Sequence, residues 1–307
     1  MLTSAFRSLS NLKTLIIIAQ QKVRPSAPAE YYGPGSISHV VSSYLAAAGM
    51  AGIKLKSLLV GTGAITHWNI KPGVAVMDLP MSFLPLYANI TSLQIKLSTK
   101  NPTYLGSTDW IRHTSLFLSA MPLLEELYLS FDDRIHTEAI FSEIVNKTTC
   151  RWPNLKRLQL IGFQLKTADL LSLLGRHQEN LERFAVHYCD FTGESWRSIL
   201  ECLREFPSLQ DLRIIYIAQD GWRTSFQNSG HVAEIDEQLN TVDIFLGELK
   251  FDGCPWALVQ DLNKYCVVAE HWENIPARID QFLTDFTVTG LAAESDVDIE
   301  LGDLWLD

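Results

Sequence analysis

Apolar residues return along the chain in a short phrase, L-x-x-L-x-L. It reads Leu12–Leu15–Ile17, Leu55–Leu58–Val60, Ile90–Leu93–Ile95, Leu124–Leu127–Leu129, Leu155–Leu158–Leu160, Leu181–Phe184–Val186 and Leu209–Leu212–Ile214. Residues two apart share one face of a strand, so each phrase predicts a short strand with its apolar side toward a core. The context repeats as well. Asn precedes the first position at Asn11, Asn89, Asn154 and Asn180, and Pro stands two residues before it at Pro122, Pro153 and Pro207. The middle positions 15, 58, 93, 127, 158, 184 and 212 lie 43, 35, 34, 31, 26 and 28 residues apart. The last two gaps match the period of about 20–29 residues typical of leucine-rich repeats, and the longer ones leave room for loops on one edge.

Helical spacing fills the intervals. Trp196, Ile199, Leu200 and Leu203 fall on one helix face, with Thr192 as a cap and Glu194 in the first turn. Thr167 caps Leu170–Leu171–Leu173–Leu174, Thr137 starts a helix through Ile140 and Ile144, and Ile37, Val40, Val41, Tyr44 and Leu45 outline another. Strand alternating with helix predicts an α/β fold. The repeated strand phrase predicts a leucine-rich-repeat solenoid, a horseshoe with a parallel concave sheet and outer helices, over residues 1–216. No unit of that kind buries its apolar face alone, so neighbours must stack. The same alternation suits a doubly wound nucleotide-binding fold, but Gly61-Thr62-Gly63 is only a fragment of the glycine-rich loop required there. Residues 217–307 read as an irregular, mainly helical region with an acidic tail.

Composition narrows the function classes. A hydrophobic content of 47% suits a large core. The net charge of −10 and the absence of a Lys/Arg run argue against nucleic acid and anionic membranes as partners. The apolar run Leu15–Ala19 is shorter than a membrane span or a signal-peptide core. Cys150, Cys189, Cys202, Cys254 and Cys266 form no CxxC, which suits reduced thiols in the cytoplasm or nucleus. Short sequons at Asn89 and Asn146 are of a kind that arises by chance.

The unit from Leu181 to Thr192, LERFAVHYCDFT, resembles the cysteine-containing leucine-rich repeat of F-box substrate receptors, with Cys189 at the signature cysteine. In the preceding unit Phe163 stands at that place. The stretch Phe191–Leu200, FTGESWRSIL, resembles a phrase common in F-box-like proteins of filamentous fungi. The resemblance is strongest from about 86 to 215. It implies a protein-binding scaffold, the substrate-receptor part of a ubiquitin ligase. Receptors of this family begin with an F-box that opens on Leu-Pro and continues as helices. Leu79-Pro80-Met81 fits the opening, but Pro85 falls where the first helix would continue, at a cost of about 3 kcal/mol in a helix interior. A repeat strand follows at once. We therefore expect no binding of a Skp-type adaptor by this chain. Met1 lies eleven residues before Leu12, so no capping unit is expected, and Ile16 and Ile18 are expected on an exposed edge strand that promotes self-association. Amide exchange is expected to be fastest in residues 1–50.

No GxSxG, HExxH or P-loop sequence occurs, and none of the eight histidines pairs with another at metal-ligand spacing. No cofactor or metal is therefore expected. Cys189 reads as a small packing residue rather than a nucleophile. His187, on the last strand position beside Tyr188, reads as a solvated concave residue or a binding one. The tail Glu294–Asp307 holds six acids and no bases and ends Leu304-Trp305-Leu306, which suits a docking motif for a basic partner or a disordered end. An enzyme within 217–307 would have Trp256, His271 and Trp272 but no recognisable catalytic set.

Strand alternation assigns the concave rows. The first holds Ser92, Glu126, Arg157, Arg183 and Asp211. The second holds Gln94, Tyr128, Gln159, Ala185 and Arg213. The third holds Lys96, Ser130, Ile161 and His187. Arg and Tyr are favoured at binding hot spots. The expected protein-binding residues are Gln94, Glu126, Tyr128, Arg157, Gln159, Arg183, His187, Asp211 and Arg213. The competing reading is a solvated face on a structural remnant or truncated gene product with no specific partner.

Overall fold

The computed structural model describes residues 2–18, 35–61, 74–75, 79–98, 109–131, 137–146, 152–187, 189–193, 196–215, 218–219, 222–228, 266–269, 279 and 286–291. The chain forms two compact units, Met1–Leu155 and Lys156–Leu304. Both are α/β, as the alternation predicts. Among the described residues no helix is long and apolar enough to cross a membrane.

In the first unit the strands β1 (Thr14–Ile18), β2 (Ser57–Gly61), β4 (Ser92–Ser98) and β5 (Glu126–Phe131) lie side by side and parallel, and the short β3 (Val74–Ala75) also pairs with β4. The helices are α1 (Leu2–Ser8), α2 (Gly35–Met50), the single turn α3 (Leu84–Tyr87), α4 (Asp109–Ser119) and α5 (Thr137–Asn146). One bond pattern starts successive strands. The Lys13 carbonyl accepts from the amides of Lys56 and Ser57, that of Lys56 from Thr91 and Ser92, and that of Thr91 from Glu125 and Glu126. The phrase residues Leu58, Leu93, Ile95, Leu127 and Leu129 are buried, so the predicted apolar side is the core side.

The second unit uses the same device. The Lys156 carbonyl accepts from Glu182 and Arg183, and the Glu182 carbonyl from Gln210 and Asp211. Strands β6 (Arg157–Ile161), β8 (Arg183–His187) and β10 (Asp211–Ile215) are parallel and in register. After β6 and β8 the chain turns a corner and forms a second, shorter ladder: β7 (Gln164–Lys166), β9 (Asp190–Thr192) and β11 (Ala218–Gln219). Gly162 makes the first corner at φ 74°, a left-handed conformation that suits glycine, and its amide donates to the His187 carbonyl. Cys189 makes the second. Its buried Sγ lies 3.6 Å from the Leu160 carbonyl and 3.4 Å from that of His187, which is the packing role expected of it. Helices α6 (Thr167–Gly175) and α7 (Trp196–Arg204) follow β7 and β9.

Several expectations are corrected. The N-terminus does not enter the first strand bare. Residues 2–8 form a helix whose Phe6 is buried and meets Tyr44 edge-on, ring centroids 6.2 Å apart. On α2 the core side carries Val41, Leu45 and Ala48, whereas Val40 and Tyr44 are exposed. Thr192 does not cap α7. It belongs to β9, and its hydroxyl donates to the Leu165 carbonyl. Thr167 is the first residue of α6 rather than its cap. Pro85 sits within the first turn of α3, where its missing amide costs nothing. Beyond residue 217 the described residues include strands that the spacing did not predict. β12 (Trp222–Asn228) runs antiparallel to β11 and to β14 (Phe286–Leu291), and β13 (Cys266–Ala269) runs antiparallel to β10. The open edges left by β10 and β11 explain this, because an unpaired strand edge recruits further chain. Trp256, His271, Trp272 and the acidic tail lie outside the described residues.

Close packing at Gly49 supplies a test. A Cβ built on Gly49 in α2 would lie 2.6 Å from Phe83 Cγ. Gly49→Ala adds helix propensity of about 0.5–1 kcal/mol. Overpacking against the ring costs about 1–3 kcal/mol. A net loss in urea denaturation is expected, and a gain would mean that Phe83 swings aside freely.

Candidate protein-binding face

In each unit the face built by the residues between the apolar ones can be followed strand by strand. In the first unit Gln94 and Tyr128 are register partners on β4 and β5, and both are half-buried. Glu126 accepts a 2.9 Å hydrogen bond from the Ser92 hydroxyl, its register partner. Alternation puts Ser130 on this face too, yet it is buried.

In the second unit Arg157, Arg183 and Asp211 are consecutive in register, as are Gln159, Ala185 and Arg213. Arg183 Nε and Asp211 Oδ2 are 2.7 Å apart, and only 8% of Asp211 is exposed. The Arg183 side chain is more open, so its pair with Asp211 is worth about 1 kcal/mol or less. Arg157 is half-buried and Arg213 exposed. The structure thus brings together Arg157, Gln159, Arg183, Asp211 and Arg213 in one unit, and Gln94, Glu126 and Tyr128 in the other.

His187 departs from the expectation of a solvated residue. Its register partners are Ile161 and Ile215, and Ile161 is buried. The ring Nε2 is buried with no hydrogen-bond partner among the described residues. Burial, and then the positive charge of Arg213, push its pKa down to about 4. At neutral pH it is an uncharged ring at the end of the row.

Two features escaped the sequence reading. The Gln94–Tyr128 row continues to Leu59 on β2 and Ile16 on β1, since Ile16 pairs in register with Leu59 and Leu59 with Gln94. The phrases at Leu12 and Leu55 carried this signal by the same alternation. The second feature is His177, 4% exposed, whose ring nitrogens both lack a partner among the described residues. It occupies the position just before the phrase, where the carbonyl accepts from an amide three or four residues on. The equivalent residues are Tyr87, Met121, Trp152 and Phe206, all buried. Counting back three residues from Leu181 lands on Gln178 instead, so only the hydrogen bond from the Leu181 amide places His177 there.

No protein-family model matches the chain, and none of the curated proteins is similar to it.

Proposed function

We propose that the chain is a leucine-rich-repeat protein that holds another protein on the outward faces of its parallel strands, as the target-binding part of a ubiquitin-ligase receptor. The observation that carries this reading is the register of Arg157, Arg183 and Arg213, which sets three guanidinium groups on adjacent strands of one face. Guanidinium groups form directional, charge-assisted bonds with carboxylates. In the other unit the Gln94–Tyr128 pair offers an amide beside a phenol. The partner is a folded protein with an acidic contact surface, and neither nucleic acid nor a membrane. The site is in the cytoplasm or nucleus.

The test reverses charge on two of the three arginines. Arg183 is set aside, because a carboxylate there would face Asp211. Arg157→Glu combined with Arg213→Glu is expected to reduce partner capture from cell extract by about tenfold or more, a hot-spot-sized effect. An unchanged urea midpoint checks folding. Identical capture by wild type and double variant overturns the reading. A Skp-type adaptor mixed with the chain is expected not to co-elute.

A second reading is a structural remnant with no partner. It draws on the Ser92–Glu126 and Arg183–Asp211 contacts, in which neighbouring strands satisfy each other's polar groups.

A further inference from the structure

We infer that the free edge of β1 is a strand-addition site for a short, extended, acidic peptide segment of another protein, separate from the faces discussed above. Among the described residues β1 ends its sheet, pairing with β2 alone. Its outer backbone N–H and C=O groups therefore form an open row, a ready template for another strand. Natural edges are usually blunted by a charge, a proline or a bulge. Thr14–Ile18 reads TLIII and contains neither charge nor proline, and its central Ile16 is 55% exposed. Leu2 and Leu9, on and just after α1, are exposed as well.

Charge decides what fits there. Although the whole chain is acidic at −10, residues 1–61 contain Arg7, Lys13, Lys22, Arg24, Lys54 and Lys56 against the single acid Glu30. In the described part of this stretch Arg7, Lys13, Lys54 and Lys56 are all exposed and no acid is present. Lys13 and Lys56 enter adjacent strands, since the Lys13 carbonyl accepts from the Lys56 amide at 2.7 Å. An added strand needs apolar residues at alternate positions to extend the layer begun by Leu15 and Ile17. It needs acids at the positions between, to meet the lysines at the strand entrance. Hydrogen bonds to the backbone supply affinity, and the lysines reject basic sequences.

The experiment uses the full chain and a fluorescent octapeptide in which valine and aspartate alternate, followed by anisotropy. Saturable binding is expected, together with slower amide exchange in residues 14–18. N-methylation of alternate peptide amides removes the backbone donors without changing charge and should abolish binding. Ile16→Asp, at an exposed position on the face that carries the peptide's acids, should abolish it too. Lys13→Glu with Lys56→Glu should weaken it by about tenfold, the scale of two exposed ion pairs. Four outcomes overturn the proposal: no saturable binding, equal binding of the N-methylated peptide, equal binding of a valine–lysine peptide, or occupation of the edge by a second copy. The last would be seen as concentration-dependent dimers that Ile16→Asp dissolves and the peptide does not displace.

Discussion

Replacing Leu127, Leu158 or Leu212 with alanine is expected to cost about 2–5 kcal/mol at each site. Each is the middle residue of its phrase and each is buried, on β5, β6 and β10 respectively. Truncation removes apolar area from the core and leaves a cavity that the flanking strands cannot fill. Their spacing is held by backbone hydrogen bonds, and the carbonyl–amide pattern that starts the strands ties each of the three to a parallel neighbour. Collapse around the gap is therefore limited, and the cost belongs in the upper part of the range. The outward neighbour Gln159 provides the control, because Gln159→Ala removes no buried apolar group and should cost about 0.5 kcal/mol or less. Urea melts of the four variants check both statements. Losses below about 0.5 kcal/mol at all three leucines would overturn the assignment of the phrase to core strands.

Stability is expected to fall steeply as pH drops from about 6.5 toward 4, with His177 and His187 as comparable causes. Burial, and secondly the charge of Arg176, lower the folded pKa of His177 to about 4 from its ordinary 6.5. Between these values the unfolded chain binds a proton that the folded chain does not. Acid therefore favours unfolding, and the contribution is complete above about pH 6.5 and lost on descent to pH 4. For a ring this buried the loss is on the order of 3 kcal/mol. His187 acts in the same direction, since its pKa is lowered to the same region by burial and Arg213. His177→Phe supplies the kind of side chain that Phe206 places at the equivalent position, and it removes the proton-binding site. The variant should lose about half of the histidine-driven fall between pH 6.5 and 4, and should be at least as stable as wild type at pH 7, because two unpartnered ring nitrogens are no longer buried. A pH profile identical to wild type would show that His177 titrates normally in the folded chain.

The two histidines show where the sequence is legible and where it is not. His187 lies on a strand whose alternation is plain, and its outward position follows from Phe184 and Val186 beside it. Its environment does not follow, because burial of its ring depends on what stands next to it in register, and Ile161 is 26 residues away. His177 follows a helix rather than lying on a strand, so the two-residue period says nothing about it. The Arg183–Asp211 pair is similar. Each residue was assigned to the outward row, but only the parallel register places Nε 2.7 Å from the carboxylate. That pairing turns one expected hot-spot arginine into a partly neutralised one. Arg157 and Arg213 have interactions of their own, and charge reversal there avoids setting a carboxylate against Asp211.

What the sequence alone determined is local and periodic. Alternation in the phrase specified which strand residues are buried, and helical spacing located α5, α6 and α7, because both periods are properties of a single segment and its own backbone. The packing role of Cys189 was implied by the resemblance to the cysteine-containing repeat rather than by either period. What only the tertiary structure decided is non-local. The helix at residues 2–8 holds through Phe6 against Tyr44, 38 positions away. The core side of α2 was set by what packs on it, so Val41 and Leu45 went inside and Val40 and Tyr44 did not. The strands β12, β13 and β14 exist as partners to edges left open by β10, β11 and each other, with β13 more than fifty residues beyond β10. No periodicity within those segments announces such pairing, since strand pairing is satisfied by whichever backbone arrives at an open edge, and arrival is a property of the folded chain.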